Sequence, residues 1–259
     1  MNNHNAFDIS EFQNTIYRDP QRYDDEYWWK TDDMEFWKKI LEMSPGKKVL
    51  ELAAGTGRLA IPLIREGAEY TGVEISPEFC KQAKQKLSNQ QMDATFIQGD
   101  IREINLDNTY DLIFIGFNSF LHLLKDDDAE ACLKCVKKHM HKDTLFVIDI
   151  FVPNPLFLYR PKTRFPVMEY IDSFTGELIK VEETSVYEPE SGINKITWFY
   201  NTPTKTDDKV YSFTMRMYFP DTMNRLLIDS GFTIENMLGK HDFSDFQEDS
   251  ELQIYICKQ

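Results

Sequence analysis

A short glycine-containing loop carries the first indication of chemistry. Gly55 and Gly57 lie between an apolar stretch and a segment predicted to be helical. Glycine lets the backbone approach a ligand closely, and the free N–H groups at the start of a helix can bind its polar atoms. Glu74 lies nineteen residues after Gly55, where a carboxylate can accept both ribose hydroxyls of a nucleoside. The spacing therefore predicts a site for a cofactor that contains a nucleoside.

Two classes of nucleoside cofactor fit this loop. Gly55-x-Gly57-x-x-Ala60 satisfies the pattern of dinucleotide-binding proteins, so a nicotinamide or flavin oxidoreductase is one interpretation. Glu51, four residues before Gly55, favours S-adenosylmethionine (SAM), because a nearby acid attracts its sulfonium and ammonium groups and repels a pyrophosphate.

One histidine is a candidate general base. His122 follows the fourth predicted strand, at the edge where an open α/β sheet places its ligand crevice. An imidazole there could take a proton from an amine or a hydroxyl. The alternative interpretation is a residue at the start of a helix, bonded to the backbone.

A group of cysteines and histidines has the residue types of a metal site but not its geometry. Cys132, Cys135 and His139 fall within one predicted helix, and His141 lies at its end. Three successive ligands on one helix cannot easily surround a tetrahedral ion. We therefore predict buried helical thiols and no metal site.

The apolar pattern predicts the elements that position these residues. Five strands alternate with helices before residue 153, which predicts a doubly wound, mostly parallel sheet of the Rossmann-like α/β class. The predicted strands are Val49–Leu52, Glu69–Glu74, Ala94–Gln98, Tyr110–Phe117 and Leu145–Val152. The predicted helices between them are Arg58–Glu66, Pro77–Leu87 and Asp126–His141. A helix at Asp221–Ser230 and two strands, Thr233–Leu238 and Leu252–Cys257, complete a sheet of seven strands.

Two segments fall outside this alternation. Prolines mark a linker after residue 152, and four segments of alternating polarity follow, which predicts an inserted antiparallel β subdomain. The first 45 residues are rich in aromatic side chains, including Phe7 and Phe12, and Asp32 with Glu35 has the spacing of a capping box that starts a helix. We therefore divide the chain into an N-terminal helical lid (1–45), an α/β core (46–152), the inserted subdomain (153–220) and the C-terminal part of the core (221–259).

Composition limits the classes of partner. The 259 residues carry 29 Lys and Arg against 43 Asp and Glu, and the net charge of −14 disfavours nucleic acid and anionic membranes. The acidic surface and the aromatic arm favour a small-molecule substrate. No leader or membrane-spanning stretch is visible, so we expect a soluble cytoplasmic protein. A homodimer formed through the β insert is a further expectation.

Four motifs, in order, resemble the class I SAM-dependent methyltransferases. Residues 49–58 match the E-x-x-x-G-x-G signature of that family, and residues 73–76 look like its ribose-binding strand end. Residues 98–101 look like its adenine-binding turn, and residues 110–119 like its fourth strand with the active-site loop. The resemblance implies a Rossmann-like methyltransferase fold that binds SAM and releases S-adenosylhomocysteine. It implies nine cofactor-binding residues, which are Glu51, Ala53, Gly55, Gly57, Glu74, Ile75, Asp100, Ile101 and Phe117.

The segment around His122 is similar to the small-molecule branch that includes deoxyamino-sugar N-methyltransferases. In that branch a Tyr-Asp pair near the N-terminus and this histidine face the substrate, which implies catalytic roles for Tyr23 and His122. The implied reaction is in-line methyl transfer to nitrogen or oxygen of a small molecule. Lys30 or Arg22 is a candidate for binding the methionine carboxylate. An oxidoreductase, or a protein of this fold that binds a ligand without turnover, is the alternative.

Overall fold

Eleven strands form two sheets in the computed structural model, which describes residues 16–259. The strands are β1 (Lys48–Leu52), β2 (Glu69–Glu74), β3 (Thr95–Gln98), β4 (Tyr110–Ile115), β5 (Met140–Phe151), β6 (Phe165–Ile171), β7 (Leu178–Glu188), β8 (Ile193–Asn201), β9 (Lys209–Arg216), β10 (Thr233–Leu238) and β11 (Leu252–Lys258). The larger sheet has the order β10-β11-β5-β4-β1-β2-β3. Strands β1 to β5 pair in parallel, and β11 is antiparallel to both of its neighbours. The predicted fold class is confirmed.

Helices cover both faces of the larger sheet. They are α1 (Pro20–Glu26), α2 (Met34–Met43), α3 (Ala60–Arg65), α4 (Pro77–Asn89), α5 (Asp126–Lys138), α6 (Pro155–Leu158) and α7 (Pro220–Asp229). Side chains alternate between the faces of a strand. Accordingly Leu112 and Phe114 of β4 join the apolar cluster that contains Trp37 of α2, whereas Ile113 joins the cluster that contains Leu133 of α5. The sheet is therefore buried on both sides, and its carboxyl edge is left for a ligand.

The smaller sheet is inserted between β5 and α7. Its strands pair antiparallel in the order β6-β7-β8-β9. One buried side chain joins the two ends of the insert: Nε2 of Gln253, in β11, donates to the carbonyl oxygens of Phe151 at 3.0 Å and Tyr218 at 2.7 Å. The predicted antiparallel insert is confirmed, and the chain leaves the core and returns to it at neighbouring points.

Several predicted element boundaries are wrong; β5, for example, begins at Met140 and not at Leu145. Helix α5 ends at Lys138, because β5 begins at Met140, so His139 and His141 are not helical residues. Strand β4 ends at Ile115, before two residues with positive φ. Asp32 does not cap α2: the residue at that position is Asp33, which makes no side-chain cap bond, and Asp32 instead accepts from Nζ of Lys30 at 2.9 Å.

The N-terminal arm is described from Ile16 onward. It consists of a 3-10 turn (Ile16–Arg18) followed by α1 and α2, and Phe7 and Phe12 lie outside the described residues. None of the helices within residues 16–259 has the length and apolarity needed to cross a bilayer. The division of the chain into four parts stays a prediction.

Candidate active site

The glycine-containing loop follows β1 at the carboxyl edge of the sheet. Ala53, Gly55 and Gly57 have φ angles of 58°, 57° and 75°, in the left-handed region that favours glycine. A Cβ on Gly57 would also lie 3.0 Å from the ring of Phe96. Both glycines are thus required by the backbone, as the sequence pattern predicts.

Glu74, at the end of β2, lies directly against this loop. Its Oε2 accepts from the Gly55 N–H at 2.8 Å, and its Oε1 accepts from the Ser76 N–H at 2.9 Å. Burial raises the pKa of this carboxyl, and the backbone N–H donors oppose the increase. The carboxylate keeps a lone pair for a further donor, such as a ribose hydroxyl.

Glu51, in β1, is a second buried acid beside the loop. The hydroxyl of Tyr70 donates to its Oε2. Burial raises the pKa of Glu51 to about 8, while the Tyr70 bond and the charge of Arg58 oppose the increase. The carboxyl is therefore mostly protonated at neutral pH, and a cation bound beside it would favour its ionisation.

A network of charges joins the arm to the loop. Arg58 makes two parallel hydrogen bonds to Asp33, at 2.6 and 2.7 Å, and its guanidinium lies 5.4 Å from the ring of Phe117. The edge of the Tyr27 ring packs on the same phenyl ring, with the centroids 5.1 Å apart. Phe117 has a φ of 51°, so the chain turns sharply at the point where its ring meets these groups.

The predicted adenine-binding turn has a partner within the protein. Asp100 accepts from Nε of Arg102 at 3.0 Å and from Nη2 at 2.6 Å, and also from the Arg102 backbone N–H at 2.9 Å. Nε lies 3.0 Å from each of the two carboxylate oxygens, so the contacts with Arg102 engage about all four acceptor sites of the carboxylate. Ile101 packs against the core, and the Ile75 carbonyl accepts from Gln98 at 3.4 Å.

Helix α1 of the arm lies over the glycine-containing loop. Asp24 of α1 accepts from the hydroxyl of Thr56, inside the loop, and from Nζ of Lys86 at 2.8 Å. The ring of Tyr23 packs on Phe79 and Tyr27, with centroids 5.0 and 4.7 Å away. The arm therefore covers the glycine-containing loop. Tyr23 is part of an aromatic cluster beneath the arm.

The two cationic side chains considered for the methionine carboxylate have partners elsewhere. Nε of Arg22 lies 3.1 Å from Oε1 of Glu26, and its guanidinium stacks 4.3 Å from the Tyr211 ring of the insert. Lys30 is bonded to Asp32. Arg22 therefore attaches the arm to the insert and does not face the loop.

His122 lies where the arm, the core and the insert meet. The hydroxyl of Tyr17 is 2.8 Å from its Nε2, Phe213 of β9 lies 6.5 Å away between ring centroids, and the Thr214 backbone bonds the ring. Burial lowers the pKa of His122 to about 4, and the Thr214 bond only partly opposes this. The imidazole is therefore neutral at physiological pH. Sequence reasoning missed Tyr17, for which the only signal was its place in the aromatic arm.

The groups with metal-ligand side chains are engaged with protein atoms. His139 bonds the Leu106 N–H at 2.9 Å and the Cys135 carbonyl at 2.7 Å, and burial raises the pKa of the Cys135 thiol. Within residues 16–259, one set of potential ligand atoms lies within 4.8 Å of one another, those of Asp33, Asp149 and His241. Asp33 forms an ion pair with Arg58, and Nε2 of His241 lies 3.2 Å from Asp149, so these side chains already have partners within the protein.

The residues at this edge of the sheet belong to a segment that matches a known protein family. The family model of a methyltransferase domain matches residues 49–143, which contain the glycine loop, Glu74 and His122. Residues 49–143 therefore match a methyltransferase domain.

Two relatives show how far the sequence similarity of this methyltransferase domain extends. YqeM of Bacillus subtilis (strain 168), provisionally named a methyltransferase, is 33% identical over 97 residues, 37% of this chain and 39% of that protein. The match thus spans about two fifths of that relative. Glycine/sarcosine N-methyltransferase of Aphanothece halophytica is 24% identical over 206 residues, 79% of this chain and 73% of that protein.

Solved structures share the fold over nearly the whole chain. An S-adenosylmethionine-dependent methyltransferase from Clostridium acetobutylicum has a TM-score of 0.74 at 20% identity, covering 92% of this chain and 96% of the other. The sugar N-methyltransferase KedS8 from Streptoalloteichus has a TM-score of 0.68 at 19% identity, covering 92% and 93%. The methyltransferase fold therefore includes the insert and the C-terminal strands.

Proposed function

We propose that this protein is a SAM-dependent methyltransferase that acts on a small-molecule amine. The observation that carries the proposal is the pair of buried acids, Glu51 and Glu74, on either side of the glycine loop. Buried carboxyls stabilise a ligand that brings positive charge and hydroxyl donors. Of the two, Glu51 discriminates between the cofactors, because a cation beside it favours its ionised form, whereas a pyrophosphate gains nothing from it; this makes the oxidoreductase the weaker candidate.

The cofactor-binding residues we propose are those that the family resemblance implies. They are Glu51, Ala53, Gly55, Gly57, Glu74, Ile75, Asp100, Ile101 and Phe117. In this proposal Glu74 accepts the ribose hydroxyls and Glu51 attracts the positive charge. Asp100 accepts from the adenine amino group in place of one of its contacts with Arg102. SAM, when bound, supplies a methyl group that is already activated on a sulfonium.

The low pKa of His122, about 4, supports an amine acceptor over a hydroxyl. A hydroxyl nucleophile needs a strong base, and an imidazole with this pKa is a weak one. Burial also raises the pKa of Tyr17 and Tyr23, so both phenols stay neutral. An amine is already nucleophilic when neutral and needs mainly orientation and the exclusion of water. We therefore propose that His122 and Tyr17 position the amine and that Tyr23 lines the site.

Two observations support a small acceptor. The site lies beneath the arm and the insert, and the net charge of −14 opposes the binding of nucleic acid. The names of Aphanothece glycine/sarcosine N-methyltransferase and of the sugar N-methyltransferase KedS8 describe small amine acceptors for those two proteins. Cytoplasmic location and dimerisation through the insert stay expectations.

Calorimetric titration with S-adenosylhomocysteine and, separately, with NADH tests the cofactor. We expect micromolar binding of S-adenosylhomocysteine alone, because the acids beside the loop select for it. NADH binding would replace the proposal with the oxidoreductase, and the absence of binding by either would overturn it.

Turnover separates an enzyme from a protein that only binds SAM. We expect S-adenosylhomocysteine to form from SAM with a panel of primary amines and not with the matching alcohols. The variant His122→Ala should lower kcat by more than about tenfold, since the ring orients the reacting group. A smaller loss would remove His122 from the site, and binding without turnover of any amine or alcohol would support the non-catalytic alternative.

A further inference from the structure

The turn that follows β4 has a strained backbone at the candidate active site. Phe117 and Asn118 have φ angles of 51° and 65°, in the left-handed region that costs free energy for residues other than glycine. Two such residues in succession persist only where neighbouring groups fix them. The ring of Phe117 packs against the guanidinium of Arg58 and the edge of the Tyr27 ring. The conformation of this turn therefore determines how the arm meets the residue that follows Gly57.

Strand β5 supplies the groups that fix the turn. The Asn118 N–H donates to the backbone carbonyl of Asp149 at 3.0 Å, and the Phe151 N–H donates to Oδ1 of Asn118 at 2.7 Å. The Phe117 N–H donates to the side chain of Asp149, 3.4 Å from Oδ2. Asn118 is thus held by the backbone of the strand, whereas the N–H of Phe117 is held by a carboxylate.

The carboxylate of Asp149 is buried and has a histidine as its partner. Asp149 is only 3% exposed, and Nε2 of His241 lies 3.2 Å from the same Oδ2. A carboxylate only accepts, so the ring nitrogen is the donor, and a buried charge is stable only with such a donor. The ring of His241 stacks on Phe36 of α2, with the centroids 5.2 Å apart. A residue in the connection between β10 and β11 therefore orients the carboxylate that holds Phe117.

We propose that His241 is a positioning residue of the cofactor site and that it acts through Asp149. Its Nε2 donor keeps the carboxylate directed at the Phe117 N–H, and that bond keeps Phe117 in the left-handed conformation. The other ring nitrogen, Nδ1, lies 3.9 Å from Oδ2 of Asp32, so the same ring also faces the arm. This inference rests on the proposed function, because it assigns His241 to the site at which that function binds SAM.

Two variants of His241 separate its donor from its ring. His241→Phe keeps the stacking on Phe36 and removes the donor, whereas His241→Gln keeps an N–H donor and removes the ring. Without the donor, the affinity falls with the fraction of molecules that still form the turn. In calorimetry we expect His241→Phe to raise the dissociation constant of S-adenosylhomocysteine about tenfold, the usual effect of removing a hydrogen bond to a charge. His241→Gln should stay within about threefold of the wild type by the same reasoning.

Packing alone predicts the reverse order of these two variants. If only the stacked ring mattered, His241→Phe would bind like the wild type and His241→Gln would bind more weakly. That order, or an unchanged affinity in both variants, would overturn the inference. His241→Met has a flexible side chain without a donor, so it should behave as His241→Phe and replaces it if the phenyl ring prevents folding.

A second histidine–aspartate pair in the same sheet is a matched control. Nε2 of His141 lies 3.1 Å from Oδ1 of Asp111, and Oδ2 of that carboxylate accepts from the Lys48 N–H at 2.8 Å. The arrangement is the same, but Lys48 begins β1, so this pair lies at the opposite edge of the sheet from the glycine-containing loop. His141→Phe should leave the affinity within about twofold of the wild type, as expected for a site with no shared partner. A loss equal to that of His241→Phe would assign the effect to general destabilisation and refute the positioning role.

A double-mutant cycle tests whether His241 acts through Asp149. Asp149→Asn removes the buried charge, so adding His241→Phe to it should weaken binding by less than about twofold, because residues that act as a unit are not additive. Additive losses would contradict the proposed route. If the wild type binds S-adenosylhomocysteine and the His241 variants bind it equally well, the proposed function stands and only the role of His241 fails. If the wild type does not bind it, both fail.

Discussion

Glu51 makes cofactor binding depend on pH in a way that one substitution should remove. Burial raises its pKa to about 8, so only about one molecule in eleven has this carboxyl ionised at pH 7. A cation bound beside it favours the ionised form, so binding must release the proton. The affinity should therefore increase as the pH rises and the carboxyl ionises in the free protein.

The size of the effect follows from the same pKa. If Glu51 is fully ionised in the complex, the affinity for S-adenosylhomocysteine should rise about tenfold between pH 7 and pH 9 through this group. At pH 7, close to 0.9 proton should leave this carboxyl for each ligand bound, by the same reasoning. The variant Glu51→Gln keeps the shape of the side chain and its contact with Tyr70 but cannot ionise. It should therefore show neither the rise in affinity nor the proton release that this carboxyl contributes.

Calorimetry in pairs of buffers with different ionisation enthalpies measures both quantities. The ratio of wild-type to Glu51→Gln affinity at each pH cancels the titration of the ligand's own groups. A ratio that stays constant from pH 7 to pH 9, with equal proton release by the two proteins, would refute the reasoning. It would show that the ammonium group of S-adenosylhomocysteine does not bind next to Glu51.

Three further perturbations follow from contacts in the structure. Asp33→Ala should lower the free energy of unfolding by about 3–5 kcal/mol in urea titrations, because it leaves the mostly buried Arg58 without its bidentate partner; a loss under 1 kcal/mol would contradict this. Asp24→Ala, which releases the arm from Thr56, should speed S-adenosylhomocysteine dissociation about tenfold in stopped-flow experiments, and an unchanged rate would show that the arm does not retain the ligand. The pKa of His122 is lowered from about 6.5 in the unfolded chain to about 4 in the folded protein. Between these two pH values the unfolded chain binds a proton at this residue that the folded protein does not bind. The free energy of unfolding should therefore fall as the pH drops from about 6.5 to about 4. In urea titrations at pH 4.5 and pH 7, the free energy of unfolding of His122→Gln should differ less between the two pH values than that of the wild type. An equal difference in the two proteins would contradict the lowered pKa of His122.

The features that local spacing determines were predictable from the sequence. Gly55, Gly57 and Glu74 belong to one strand–loop–helix–strand unit, so the pattern of residue types sufficed to place them. The contact between Tyr17 and His122 was not predictable, because it joins residues 105 positions apart and depends on how the arm packs on the insert. Among the aromatic residues of the arm, nothing in the sequence distinguishes the one that reaches the histidine.

Boundaries were missed where long-range pairing overrides a local signal. The helical pattern continues past Lys138, but Met140 pairs with Tyr110 in the sheet and ends the helix. The capping-box spacing of Asp32 and Glu35 is similarly overridden. Asp33 forms the ion pair with Arg58 in place of a cap, and this ion pair fixes where the arm meets the cofactor loop.

The side chain of Gln253 has a consequence for how this protein can diversify. Because one amide binds the carbonyls of both Phe151 and Tyr218, the chain leaves the core and returns to it at neighbouring points. Recombination or a change of loop length between those points can replace the whole insert and leave the strand register of the core as it is. Selection can therefore change the insert with little change in the strands that carry the glycine-containing loop. A chimaera that carries the insert of a related protein, joined at these two residues, is a practical test of this consequence.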